Sequence, residues 1–280
     1  MQLAVMADVG RANVARDLPD KKDSILDVVR IATYINTIPA AIEMIETCAK
    51  KGYHTTVNIM AVSKAQESEL EEALEMLGKS SVEVIYLVDS YGSLYPLQMR
   101  QLAQRYLEAG EKYGKKIGIH AHNNQQLAFA NTTECAMMGV SYLDATMAAM
   151  GRGAGNLNME LLLTCLAKGG LEVDFNVLGE VVETFKTLYE EHRWGTNLPY
   201  MISGAYSIPQ KEVMDWVGNR TYSFNSIVRA LDNRRNKVAD NARYPVLNAT
   251  KTKQVLIVGG GDSVKEHINA ISEFWKQCRL

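Results

Sequence analysis

The 280-residue sequence predicts an α/β fold: a (β/α)8 TIM barrel, incomplete at the N-terminus, with a helical C-terminal extension. Three observations lead there. A short apolar strand followed by an amphipathic helix recurs six times, at the spacing of roughly 25–30 residues that a βα unit needs. The strands are near-continuous apolar runs, as expected where both faces of a parallel sheet are covered. Polar residues collect at the C-terminal ends of several strands, namely Asp8, Arg30, Asn58, Asp89, His120, His122 and Asp144. A barrel builds its site from many strand ends at one face. A doubly wound open sheet is the alternative, but no phosphate-binding glycine fingerprint follows the first strand.

The strands are expected at Leu3–Ala7, Val28–Thr33, Thr55–Met60, Val82–Val88, Lys116–Ala121 and Tyr142–Met147. Between them, Pro39–Lys51 places Ile42, Ile45, Cys48 and Ala49 on one helical face. Ser63–Leu77 does the same with Leu70, Leu74 and Leu77, and opens on two capping-box patterns, Ser63 with Gln66 and Ser68 with Glu71. Pro96–Tyr113 starts with proline and stops at Gly114. Gln125–Met138 and Met159–Lys168 follow the last two strands, and after Asn156 the pattern turns helical over Val177–Arg193 and Leu198–Val217. The organisation expected is a barrel domain over 1–217, an irregular linker over 218–252, and the start of a second, Rossmann-like α/β unit over 253–280. That last unit would be a strand from Gln254 to Val258, a glycine turn at Gly259-Gly260-Gly261 and a helix start.

Composition excludes several classes. A net charge of −2 offers no electrostatic footprint for nucleic acid or an anionic membrane. No apolar run reaches the length of a membrane span, and the N-terminus lacks the basic-then-apolar order of a signal peptide. Cys48, Cys135, Cys165 and Cys278 have neither zinc spacing nor a disulfide framework, which fits a reducing, cytoplasmic setting.

The stretch Lys116-Ile-Gly-Ile-His-Ala-His-Asn-Asn124 is the most informative. Side chains of a strand alternate faces, so His120 and His122 share one side at its C-terminal end while Ile117 and Ile119 take the other. Two imidazoles fixed there make half of a divalent-metal site. Two structural histidines are the competing reading. Asp89 could cap its loop, Asp144 could bind backbone groups under the site, and Asn156 could cap the following helix.

Four motifs then occur in order: Val88-Asp-Ser-Tyr-Gly92, Gly118-Ile-His-Ala-His-Asn-Asn124, Leu143-Asp-Ala145 and Met150-Gly-Arg-Gly-Ala-Gly-Asn156. With them the chain resembles the metal-dependent TIM-barrel lyase and synthase superfamily over about residues 1–215. That group includes 4-hydroxy-2-oxovalerate aldolase, hydroxymethylglutaryl-CoA lyase and isopropylmalate synthase. The resemblance implies metal ligands at His120, His122 and Asn156. It implies catalytic roles for Arg30, Asp89 and a late tyrosine, Tyr200 or Tyr206, of which Tyr206 is carried forward. Asn58 and Asp144 are the substrate-binding candidates. Against that family the strands present correspond to three to eight. The family's first-strand Arg-Asp-Gly-Gly motif has no counterpart, because Arg16-Asp17 sits in a polar loop without the glycines. The sequence therefore reads either as a fragment or as a short chain that finds its missing edge elsewhere, expected to bind metal weakly and to cleave substrate poorly or not at all.

The activity implied is cleavage of a 4-hydroxy-2-oxo acid to pyruvate and an aldehyde. The cofactor implied is a divalent ion, Mn²⁺ first and Mg²⁺ or another first-row ion next. Homo-oligomerisation and an aldehyde-accepting partner enzyme are the associations this resemblance suggests. An acyl-CoA lyase or condensing synthase is the alternative. Ala148-Ala-Met-Gly151 replaces the lyases' cysteine-proline loop, and the same region lacks the synthases' glutamate, which favours the aldolase branch. A non-catalytic barrel domain of a larger protein is the third reading.

Overall fold

The computed structural model describes residues 1–219, 221–247, 256, 258, 259 and 261–277. The chain divides into two compact units, Met1–Val246 and Leu247–Leu280. The first contains a six-stranded, wholly parallel sheet in sequential order: β1 (Ala4–Asp8), β2 (Val28–Thr33), β3 (His54–Ile59), β4 (Val84–Asp89), β5 (Lys116–Ala121) and β6 (Tyr142–Leu143). Around it lie α1 (Val14–Asp17), α2 (Ile38–Lys50), α3 (Glu67–Gly78), α4 (Pro96–Tyr113), α5 (Ala128–Met138) and α6 (Met159–Lys168).

Residue parity decides which face meets the helices. Odd-numbered strand residues such as Val29, Ile31, Val57, Ile85, Leu87 and Ile119 are almost fully buried and share one core with the helices. In α3 that core takes Leu70, Ala73, Leu74 and Leu77, the one-sided spacing of an amphipathic helix. Burying one such leucine is worth about 1.5–3 kcal/mol. The even-numbered residues of β4, Val84, Tyr86 and Val88, form a separate small cluster on the other face. Sequential strand order with the helices packed on one face is the winding of a barrel, not of a doubly wound sheet.

One contact shows how far the sheet curls. Strands lie about 4.8 Å apart, so a flat sheet would put β2 and β6 about 19 Å from each other. Yet Arg30 of β2 reaches the carboxylate of Asp144, just beyond β6, through two hydrogen bonds of 3.0 and 2.5 Å. Only a strongly curved sheet with these side chains on its concave face permits that.

Several expectations are corrected. The strand expected over Tyr142–Met147 stops at Leu143. Beyond it Thr146 N–H donates to Leu157, and Met147–Ala149 forms a 3-10 turn with Ala148 and Ala149 at positive φ. Helix α3 begins at Glu67 rather than Ser63, and Glu69 accepts from the Gln66 N–H, so neither expected serine box is used. The stretch Leu198–Val217 is two helices, α8 (Leu198–Ala205) and α9 (Gln210–Gly218), following α7 (Phe175–His192). The segment 218–252 is not irregular throughout: Phe224–Arg235 is helix α10, with Ile227, Ala230 and Leu231 in a second core beside Val213 and Trp216. The strand expected over Gln254–Val258 falls largely outside the described residues, as does Gly260 of the glycine turn. The second unit shows helices α11 (Ser263–Glu266) and α12 (Ile268–Gln277). Among the described residues no helix is long and apolar enough to cross a membrane.

Candidate functional site

The concave face owes its chemistry to even-numbered positions on four strands and the turn after β6. Register aligns Ala32 with Asn58, Asn58 with Tyr86, Tyr86 with Gly118, and Val88 with His120. Gly118 leaves the space that the Tyr86 ring occupies, since a Cβ there would come within 2.5 Å of Tyr86 Cε1. The buried ring is a platform: the Arg30 guanidinium stacks 4.4 Å above its centroid.

Asp144 is the hub of this face. Its Oδ1 and Oδ2 accept from Arg30 Nη1 and Nη2, and Oδ2 also pairs with His120 Nδ1 at 3.0 Å. Arg30 Nη2 lies 3.5 Å from Asn58 Oδ1. Burial pushes the Asp144 carboxyl up, but the hydrogen bonds from His120 and Arg30 outweigh it and hold the group below its ordinary range. Burial likewise works against the Arg30 charge, and Asp144 more than restores it. The Tyr86 phenol is pushed up, by burial first and by the Asp144 charge second.

His120 and His122 stand on the same side, their rings edge to face with centroids 5.1 Å apart. His122 is pushed down to about 3, mainly by burial and then by His120 and Arg152, so it is a neutral imidazole and an available donor. Beside it runs the glycine loop: His122 bridges to Asn156, and Asn123 N–H donates to Gly155 at 3.0 Å. Gly155, at φ +81°, passes so close to Ala149 that a Cβ would fall 2.5 Å from its carbonyl oxygen. Asn156 Nδ2 donates to Met150, while its Oδ1 is buried without a partner. Among the described residues no group of three or more His, Cys, Asp or Glu is placed to hold a metal. Two imidazoles and an orphaned amide oxygen nevertheless fit a first-row divalent ion at three positions.

The other expected residues fall elsewhere. Asp89 is corrected: its odd parity turns it from the concave face, and its buried carboxylate accepts from Ser93 and Leu94 N–H at 3.0 and 3.1 Å, closing the loop before α4. Burial raises its pKa in spite of those bonds. Tyr206 is corrected too: it is half exposed, and its hydroxyl accepts from Arg235. Tyr200 packs in the second core. Asp144, expected to face substrate, has both oxygens occupied by Arg30 and His120. Asn158, not Asn156, caps α6. Arg16 and Asp17 pair with each other on the surface. A cavity of about 570 Å³ between α3 and α4 is lined by none of the site residues. Tyr86 escaped the sequence reading, although its parity with Val84 and Val88 and the glycine opposite it were both visible.

Comparison with known proteins bears on family and fold. The sequence profile described as HMGL-like matches residues 27–185, more than half of the chain. A 4-hydroxy-2-oxovalerate aldolase of Geobacillus thermodenitrificans is 30% identical over 145 residues, 52% of this chain and 42% of the relative. An oxaloacetate decarboxylase of Mycobacterium tuberculosis is 30% identical over 146 residues, again 52% and 42%. The solved N-terminal domain of a candidate aldolase from Bacteroides vulgatus superposes with a TM-score of 0.68 at 38% identity, over 82% of this chain and 76% of that one. The chain spans about half the length of the curated relatives it matches.

Proposed function

The chain belongs to the HMGL-like family, and from that premise we propose that it carries the metal-binding face of an aldolase cleaving a 4-hydroxy-2-oxo acid to pyruvate and an aldehyde. The observation that carries this reading is the pair His120 and His122 on the concave strand ends, backed by Asp144 and Arg30. His120, His122 and Asn156 would hold a divalent ion, with Mn²⁺ as the first candidate. When bound, such an ion polarises a 2-oxo group and stabilises the negative charge left when the adjacent C–C bond breaks. The chain's own residues set the surroundings. Val84, Tyr86 and Val88 make an apolar floor that excludes water beneath the histidines. Arg30 cancels the charge of Asp144, so the anionic substrate does not meet an uncompensated carboxylate. Asn58 offers an amide at the edge of that pair. A cytoplasmic setting and an aldehyde-accepting partner belong to the same proposal.

A second reading is favoured by the decarboxylase relative, because loss of CO₂ from a 2-oxo acid leaves the same charge to be stabilised. The test is Mn²⁺ binding by electron paramagnetic resonance, together with coupled detection of pyruvate from 4-hydroxy-2-oxo acids and from oxaloacetate. We expect weakly bound Mn²⁺, lost on His120→Ala or His122→Ala, and at most slow pyruvate release from the hydroxy acids, requiring the ion. Release from oxaloacetate alone would select the decarboxylase. Absence of Mn²⁺ binding would overturn both.

A further inference from the structure

The contacts around Asp144 give it a task distinct from substrate binding, one that rests on the metal-binding reading of the histidine pair. We propose that Asp144 is a positioning residue that fixes the tautomer and orientation of His120, and that Arg30 serves to hold Asp144 in place.

The argument starts with the imidazole. A neutral histidine carries one N–H and one lone pair, and whichever nitrogen donates leaves the other free to ligate. His120 Nδ1 lies 3.0 Å from Asp144 Oδ2. That oxygen belongs to a carboxylate bound through both oxygens by the Arg30 guanidinium, so it accepts, and Nδ1 carries the proton while Nε2 keeps the lone pair. A carboxylate behind a histidine in this way also stops rotation of the ring.

Asp144 would be a poor anchor by itself. It follows β6, which is only two residues long, and its own backbone is held there by one N–H bond to Ile119. Arg30 supplies the rigidity. Its fork takes both carboxylate oxygens, and the guanidinium is pressed on the Tyr86 ring, which is seated over Gly118. The order of support therefore runs Gly118, Tyr86, Arg30, Asp144, His120. With its fork committed, Arg30 is a structural cation and not a substrate-binding one.

The test separates this inference from the metal reading. Long-range ¹H–¹⁵N correlation spectra of the metal-free protein, labelled in histidine and recorded at about pH 8, where imidazoles are neutral, report each tautomer. His120→Gln assigns the signal. We expect a protonated Nδ1 and a pyridine-like Nε2 for His120 in the native chain. Asp144→Asn, which keeps an acceptor, should preserve that pattern, and Asp144→Ala should mix the two tautomers. Mn²⁺ affinity should fall about 10–100-fold in Asp144→Ala and by less in Asp144→Asn. A native His120 protonated on Nε2 would overturn the proposal, and that measurement needs no variant to fold. So would an Asp144→Ala protein with an unchanged tautomer and unchanged affinity. The expected tautomers without Mn²⁺ binding in any protein would leave Asp144 as the orienting group and overturn the metal reading alone.

Discussion

Tyr86 shows how one atom's worth of space shapes the site. Its ring is admitted by the missing side chain at Gly118, and Arg30 is stacked on that ring. Gly118→Ala should displace the ring and everything above it. The expected cost is about 1–3 kcal/mol in urea unfolding, with a weakened Arg30–Asp144 pair; unchanged stability would mean that the ring relaxes freely. At this scale the sequence was legible wherever parity was applied. His120, His122, Arg30 and Asp144 all lie on the face their numbering dictates. Asp89 shares the strand-end position of these residues, but its parity, opposite to Tyr86 and Val88, signals that it faces the loop. The three-way contact at Asp144 was not legible, because it joins residues 114 positions apart whose meeting depends on sheet curvature.

Elements differ in how firmly they are held. Helix α3 buries four aliphatic side chains against the sheet, whereas α7 has no buried residue along its 18, and Phe175 and Val177 are more than half exposed. Among the described residues strand β1 pairs only with β2, and it leaves Val5 and Met6 exposed. Amide exchange should therefore rank α7 and β1 fastest, and α3, β3 and β4 slowest. Protection of α7 equal to that of α3 would refute the ranking. Helix and strand positions were legible from apolar period and from Pro96 and Gly114. The end of β6 was not: its apolar pattern continues, but the backbone of Thr146 is recruited by Leu157 instead of a neighbouring strand. Helix α10 was hidden by polar composition, since only its narrow face of Ile227, Ala230 and Leu231 is buried.

The whole molecule carries a pH dependence built at the concave face. His122 titrates near 6.5 when unfolded and near 3 when folded, so between those values the unfolded chain binds more protons and stability falls as pH falls. Asp144, depressed below its ordinary 3.8, adds a loss in the same direction at still lower pH. Urea unfolding of the metal-free protein should show stability declining from pH 6.5 to 4.5, with His122→Gln flattening the slope. An equal slope in the variant would locate the proton uptake elsewhere.

The pairing of Arg30 with Asp144 also has a bearing on the order of assembly. Closing a loop of that length costs chain entropy that only the intervening strand pairings can offset. The contact requires β2 through β6 to be paired in register and the sheet to be curled. A slip of one residue in β5 would send His120 to the helix side and leave Asp144 with nothing to orient. A chain whose sheet has not yet curled has therefore not brought His120, Asp144 and Arg30 together, however complete its individual strands are.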